Sequence, residues 1–427
     1  MSSDERQARE LDGRDPLRAY RERFHLPPGP GGEPLVYFAG NSLGLEPKAV
    51  SGLVEEELRE WARLGVEGHM RGKNPWYSYH ERFRGPAARL VGALPDEVVI
   101  MNGLSVNLHL LMVTFYRPTP ERHKILIEER AFPSDAYAAQ TQLLHHGYDP
   151  EQGLLVASPR PGEHVLRTED VVALIEKRAE EIALVLLPGV HYFTGEVLEM
   201  PRIAAAARAR GIPVGFDLAH AVGNVPLRMH DWGVDFAAWC SYKYLNAGPG
   251  APAGIFVHER HARDTRLPRF GGWWGNDPAT RFQMHRETRF VAREGADGWQ
   301  LSNPPILAMA PLAAALALFD EAGMEALRAK SERLTGYLMD LVGRIPGDRF
   351  EVITPREPQA RGCQASILVH ERPRELFEAL GAGGIVGDFR EPNVIRVAPT
   401  PLYNTFHEVW RFARVLARAA SDGSRPE

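Results

Sequence analysis

Between residues 97 and 257 the chain repeats one phrase: a short, solid apolar run, a helix-forming stretch, then another apolar run. The runs are EVVIMNG, HKILIEE (123–129), IALVLLPGV, IPVGFDLAHAVG, VDFAAWCSYKY and AGIFVHE. Runs without polar alternation suit strands buried on both faces, and strands separated by helices pair in parallel. The intervening helices read from VNLHLLMVTFY, from PSDAYAAQTQLLHHG closed by Gly147, from TEDVVALIEKRA with Thr168 as N-cap, and from MPRIAAAARARG. An α/β sheet covered on both faces is therefore expected. Ahead of it, residues 1–34 hold a charged helix and the turn-rich HLPPGPGGEP, and residues 48–64 and 86–94 read as amphipathic helices.

The texture changes near residue 305. ILAMAPLAAALALFDEAG is a long apolar helix, and MEALRAKSERLTGYLMDLVGRI is an amphipathic one able to join two lobes. Short strands (FEVITP, CQASILVH, NVIRVAP) then alternate with the helices PRELFEALGAGG and TFHEVWRFARVLARAA, an α+β pattern. A chain of 427 residues exceeds one ordinary core. The expected plan has an N-terminal segment (1–60) packing with the small domain, a large domain (61–320) and a small C-terminal α+β domain (321–427).

Composition narrows the partners. Net charge is −5 with acids and bases intermixed, so no basic field invites nucleic acid or anionic lipid. The N-terminus carries no apolar leader, and no apolar run approaches the ~20 residues of a membrane span. Cys240 and Cys363 form neither metal spacing nor a disulfide framework. A cytoplasmic protein is the expectation.

In open α/β sheets ligands sit beyond the carboxyl ends of the strands. Gly103, Leu104 and Ser105 follow one strand at a helix start, where free N–H groups suit a phosphate; a plain helix cap reads equally well there. Phe132, Pro133, Ser134 and Asp135 follow the next, an aromatic face beside a carboxylate, or an ordinary loop and cap. Asp217 ends a buried strand, with His220 close behind. A buried carboxylate needs a partner, and either a protonated ring nitrogen or an arginine would serve. Ser241, Tyr242 and Lys243 follow the fourth. A single lysine there can simply snorkel to water, whereas a desolvated one becomes an amine nucleophile. Four such strand ends together describe pyridoxal 5′-phosphate held covalently by an amine.

The same residues carry a family resemblance. YFAGNSLGLEPK, GHMRGKNPW, MNGLSVNLHLLM, AFPSD, LLPGVHYFTGE, VGFDLAHAVGNVPLRMHDWGVDFAAWCSYKYLNAGPG, GGWWG, LSNPPIL and IRVAPTPLYN resemble kynureninases, in the class V branch of fold-type I pyridoxal-phosphate enzymes. The resemblance implies an aspartate-aminotransferase-like fold, with a mostly parallel seven-stranded sheet in the cofactor domain. It implies cleavage of L-kynurenine, 3-hydroxy-L-kynurenine or both, to the corresponding anthranilate and L-alanine. Lys243 would hold the cofactor, with Tyr242 as general acid and phosphate ligand. Asp217 would pair with the ring nitrogen beside His220, and Phe132 would stack on the ring. Leu104, Ser105, Pro133, Ser134 and Asp135 match further cofactor-contacting positions. Trp273, adjacent to Trp274, would bind the phosphate. Trp273 and Asn303 would come from the second subunit of a homodimer with shared active sites. Arg396 would bind the substrate α-carboxylate, and His69 with Asn303 the substrate ring. Pro188 stands where some relatives place a small hydroxyl residue.

Three rivals stay open at this level. A desulfurase needs a mobile cysteine, and neither Cys240, inside an apolar run, nor Cys363, in RGCQAS, suits that role. An aminotransferase shares the Asp…Lys logic and is separated by its products. A cofactor-binding regulator would carry a DNA-binding extension, and no such stretch is seen.

Overall fold

A computed structural model describes residues 3–29, 31–286 and 289–422. In chain order the strands are β1 (Val36–Tyr37), β2 (Val98–Ile100), β3 (Lys124–Glu128), β4 (Leu154–Ala157), β5 (Ile182–Pro188), β6 (Val214–Asp217), β7 (Phe236–Trp239), β8 (Gly254–Val257), β9 (Phe350–Val352), β10 (Ala365–Val369), β11 (Ile385–Val386), β12 (Asp388–Arg390) and β13 (Val394–Val397).

Seven of them form the main sheet in the order β2-β8-β7-β6-β5-β3-β4. The pairs from β7 through β6, β5 and β3 to β4 are parallel, while β8 runs antiparallel to both β7 and β2. β2 therefore points the same way as the rest, and its carboxyl end joins theirs along one edge. Successive strand residues feed opposite cores. Leu126, Val185, Phe216 and Ala237 pack on one face, and Ile125, Ile127, Leu184 and Phe236 on the other. Burial on both sides is why these strands show no polar alternation.

Helix boundaries follow local chemistry. The helix Leu104–Phe115 starts directly after Gly103, earlier than its apolar run suggests. Thr168 is the first residue of the helix Thr168–Lys177 and Arg167 occupies the cap position. The expected Thr168 cap is thus displaced by one residue, and no side-chain cap bond forms there. β4 escaped the sequence reading because, as an edge strand, it leaves Val156 exposed and its run is short.

The second lobe is the antiparallel sheet β12-β13-β10-β9. Its core joins Ile367, Val369, Ile395 and Val397 to Leu334 and Leu338 of the helix Met324–Gly343 and to Phe406, Val409 and Phe412. Ala8, Val36 and Phe38 from the N-terminal segment belong to this core. Asp12 accepts the N–H groups of Phe406 (2.7 Å) and His407 (3.0 Å). The helix Val50–Leu64 instead packs on Ile306–Ala322 of the large lobe. No single helix among the described residues is long and apolar enough to cross a membrane.

Candidate active site

The carboxyl edge of the main sheet opens into a cavity of about 230 Å3. Each wall is set by a strand end. β6 delivers Asp217 as its last residue, β3 delivers Glu128, and the turn after β7 delivers Tyr242 and Lys243. The helices Leu104–Phe115 and Pro133–His145 both begin at this edge, so their free N–H groups face the same space. Ser105 Oγ and Ser134 Oγ meet between them at 2.6 Å.

Lys243 Nζ lies 3.0 Å from His220 Nε2 and 5.5 Å from the centroid of the Phe132 ring. Burial first, and then the Lys243 charge, push the His220 pKa well below its ordinary value, so a neutral imidazole accepts from the amine. Asp217 Oδ1 accepts the Ala219 N–H at 2.7 Å. Asp135 lies beside it, close enough for a side-chain hydrogen bond between the two carboxyls. Asp135 is pushed well above the carboxylate range, by burial and then by the negative Asp217 beside it, and Glu128 is pushed up to about 8, chiefly by burial. Asp217 thus stands beside two carboxyls that burial pushes toward protonation. Burial also raises the Tyr242 phenol, which stays protonated.

The lysine loop is held by an N-terminal segment. Gly44 N–H donates to Tyr242 O at 2.8 Å. A Cβ at Gly44 would collide with the Lys243 carbonyl and with Asn246, so only glycine permits this approach. That close packing accounts for a glycine in NSLG.

The donor set fits pyridoxal phosphate. An amine, a buried carboxyl group, an aromatic face and two helix N-termini with hydroxyls converge on one space, each answering a different part of that molecule. Pro188 also lines the cavity and offers no hydroxyl or N–H there.

Of the residues expected from sequence, Leu104, Ser105, Phe132, Ser134, Asp135, Asp217, His220, Tyr242 and Lys243 line this one cavity. Pro133 starts the adjoining helix. Arg396 stands outside the lining set, 1% exposed, with its guanidinium 5.7 Å from the centroid of the Tyr192 ring. His69 and Asn303 are exposed and lie off this cavity. The two tryptophans separate clearly. Trp274 is buried against Tyr77, His80 and Arg281, whereas Trp273 is 37% exposed. Sequence reasoning missed Glu128 and Tyr192. Both follow the strand-end rule that found the others, but Glu128 was read as part of its strand. Tyr192 lies four residues past β5, where only the Phe132 ring 5.2 Å away reveals its place.

The desulfurase rival loses its nucleophile here. Both cysteines are free and buried, and burial pushes their thiols up to about 11 for Cys240 and about 12 for Cys363.

Comparison with known proteins agrees with this geometry. Residues 327–416 match the kynureninase C-terminal domain family. The chain is 58% identical to a kynureninase of Myxococcus xanthus, with 96% of each chain covered. It is 55% identical to one of Koribacter versatilis, with 95% of each covered. Among solved structures, a C-DES variant with glycine covalently linked to its PLP cofactor superposes with TM-score 0.77 at 17% identity, covering 93% of this chain and 98% of that one. A cysteine desulfurase of Thermococcus onnurineus superposes with TM-score 0.74 at 18% identity, over 91% and 95% of the two chains. These structures share the fold.

Proposed function

The chain belongs to the kynureninase family, and from that premise we propose that it hydrolyses the β–γ carbon bond of L-kynurenine, of 3-hydroxy-L-kynurenine or of both. Water and substrate give anthranilate or its 3-hydroxy form plus L-alanine. The enzyme is pyridoxal-phosphate-dependent. When bound, that group supplies an aldehyde for the substrate amine and an electron sink for the carbanions formed at the neighbouring carbons.

The observation that carries this reading is Lys243, an amine 3.0 Å from a neutral histidine inside a cavity lined by Asp217 and by two carboxyls pushed toward protonation. Lys243 would hold the group through its amine, and its Nζ, when free, would take the substrate α-proton. Asp217 would pair with the ring nitrogen of the group, and Phe132 would offer it an aromatic face. Ser105, Ser134, Tyr242 and the N–H groups of the two helix starts form the polar lining for the phosphate end. Tyr242, protonated and within the cavity, is the general acid for bond cleavage. Arg396 binds the α-carboxylate.

A homodimer completes the site. Phe270, Trp273, Phe282, Phe290 and Val291 are exposed within one excursion of the chain, a concentration of apolar surface that suits an interface. Trp273 and Asn303 serve the second subunit's cavity, with Trp273 on the phosphate. His69 and Asn303 contact the substrate ring. A cytoplasmic setting suits the two free, buried thiols.

The purified protein supplied with pyridoxal phosphate should absorb visible light and generate anthranilate fluorescence from L-kynurenine. A coloured protein inactive on both kynurenines, yet active with an amino donor and pyruvate, would replace this reading with a transferase.

A further inference from the structure

Asp388 and Arg396 face each other directly across the antiparallel pair β12 and β13. Arg396 Nε donates to Asp388 Oδ1 at 3.0 Å, and Nη2 approaches Oδ2 at 2.8 Å, a side-on fork. Arg396 Nη1 donates to the carbonyl of Tyr192. A guanidinium has five N–H groups. These contacts occupy three and leave one on each terminal nitrogen. Tyr192 lines the cavity and its ring packs edge-on to Phe132, over which Lys243 Nζ stands. Arg396, Tyr192, Phe132 and Lys243 thus form one continuous contact series into the site.

A second arginine shares the same carboxylate. Arg390 Nη2 donates to Asp388 Oδ2 at 3.2 Å, its Nε lies 2.9 Å from Oδ1, and its guanidinium is 5.9 Å from the Tyr192 ring centroid. Two cations against one anion leave a net charge of +1 beside the cavity. Arg396 is almost fully buried, so without Asp388 it would be an uncompensated charge free to turn toward any other acceptor.

We propose that Asp388 is a positioning residue for substrate recognition, gripping one edge of Arg396 so that its remaining terminal N–H pair is presented to the α-carboxylate of an amino-acid substrate. This rests on the reading of Arg396 as the carboxylate ligand. Tyr192 O fixes the other side of the guanidinium, and Arg390 supplies a second positive charge that keeps the assembly attractive to an anion.

The test uses the cofactor-loaded enzyme and two competitive inhibitors, an aromatic substrate analogue with a free α-carboxylate and the same molecule as its carboxamide. Asp388→Asn should raise KM roughly ten- to a hundredfold with kcat changed less than about threefold. It should also erase most of the preference for acid over amide. Asp388→Glu should recover part of that preference, because it restores the charge with a longer reach. Visible absorbance of the loaded enzyme reports that the cofactor site is intact in each variant. If Asp388→Asn misfolds, the acid-to-amide ratio in Asp388→Glu decides alone, and a ratio equal to wild type overturns the proposal. Arg396→Gln is the control. Should it lose acid preference while Asp388→Asn keeps it, the positioning role is wrong and the reading of Arg396 stands. Should Arg396→Gln keep the preference, the reading of Arg396 itself fails and the proposal with it.

Discussion

The two edges of the main sheet treat buried charge in opposite ways. At the amino edge, Glu97 just before β2 is fully buried and fully satisfied. Its Oε1 accepts from His230 Nδ1 at 2.9 Å and from Glu259 N–H at 2.7 Å, and its Oε2 accepts Leu94 N–H at 2.9 Å. At the carboxyl edge, Glu128 and Asp135 are buried too, but they face a cavity and are pushed toward protonation. One edge uses a carboxylate to tie loops together. The other holds carboxyls in an environment that penalises their charge, which is the condition for tuning a bound group and a recurrent mark of function.

Substitutions should separate the two edges. The largest effect belongs to Lys243→Ala, which should abolish turnover measured as anthranilate release, with the fold intact by circular dichroism. Next, Asp217→Ala should weaken cofactor retention and slow turnover about a hundredfold or more, read as absorbance surviving dialysis and as kcat. At the opposite edge, Glu97→Ala should leave kcat alone. It should lower unfolding stability by about 3 kcal/mol, from buried donors left unpaired, measured as a denaturant midpoint.

Glu128→Gln should act with the opposite sign. The unfolded glutamate titrates near 4.5 and the folded one near 8, so the folded wild type binds that proton more tightly. Its stability is therefore complete below pH 4.5 and declines as pH rises toward 8. A glutamine removes the decline. The variant should match wild type at acid pH and gain on the order of 4 kcal/mol by pH 8, followed by thermal melts across that range. A gain independent of pH would mean that Glu128 is not held protonated, and the contrast between the edges would weaken.

Much of this contrast was legible in the chain. Solid apolar runs such as KILIE and IALVLLP announce strands covered on both faces, because a strand with a wet face must alternate. Their carboxyl ends then locate the cavity, and nine of the expected residues line it. Those in local sequence contact with a strand end, Asp217 or Lys243, were found for that reason. Glu128 was not, since a glutamate ending an apolar run looks the same whether it faces water or a cavity. The edge strand β4 was missed for a related reason, as a short edge strand carries little apolar pattern.

The sequence by itself determined the alternation, the strand ends and the residue types offered there, because these depend on periodicity and neighbours within a few positions. Only the tertiary structure decided that Trp274 is packing while Trp273 is free, that Gly44 braces the lysine loop, and that Arg396 is gripped by Asp388. Each joins side chains or backbone through space, and burial and hydrogen-bond partners are properties of the folded arrangement that no local pattern encodes.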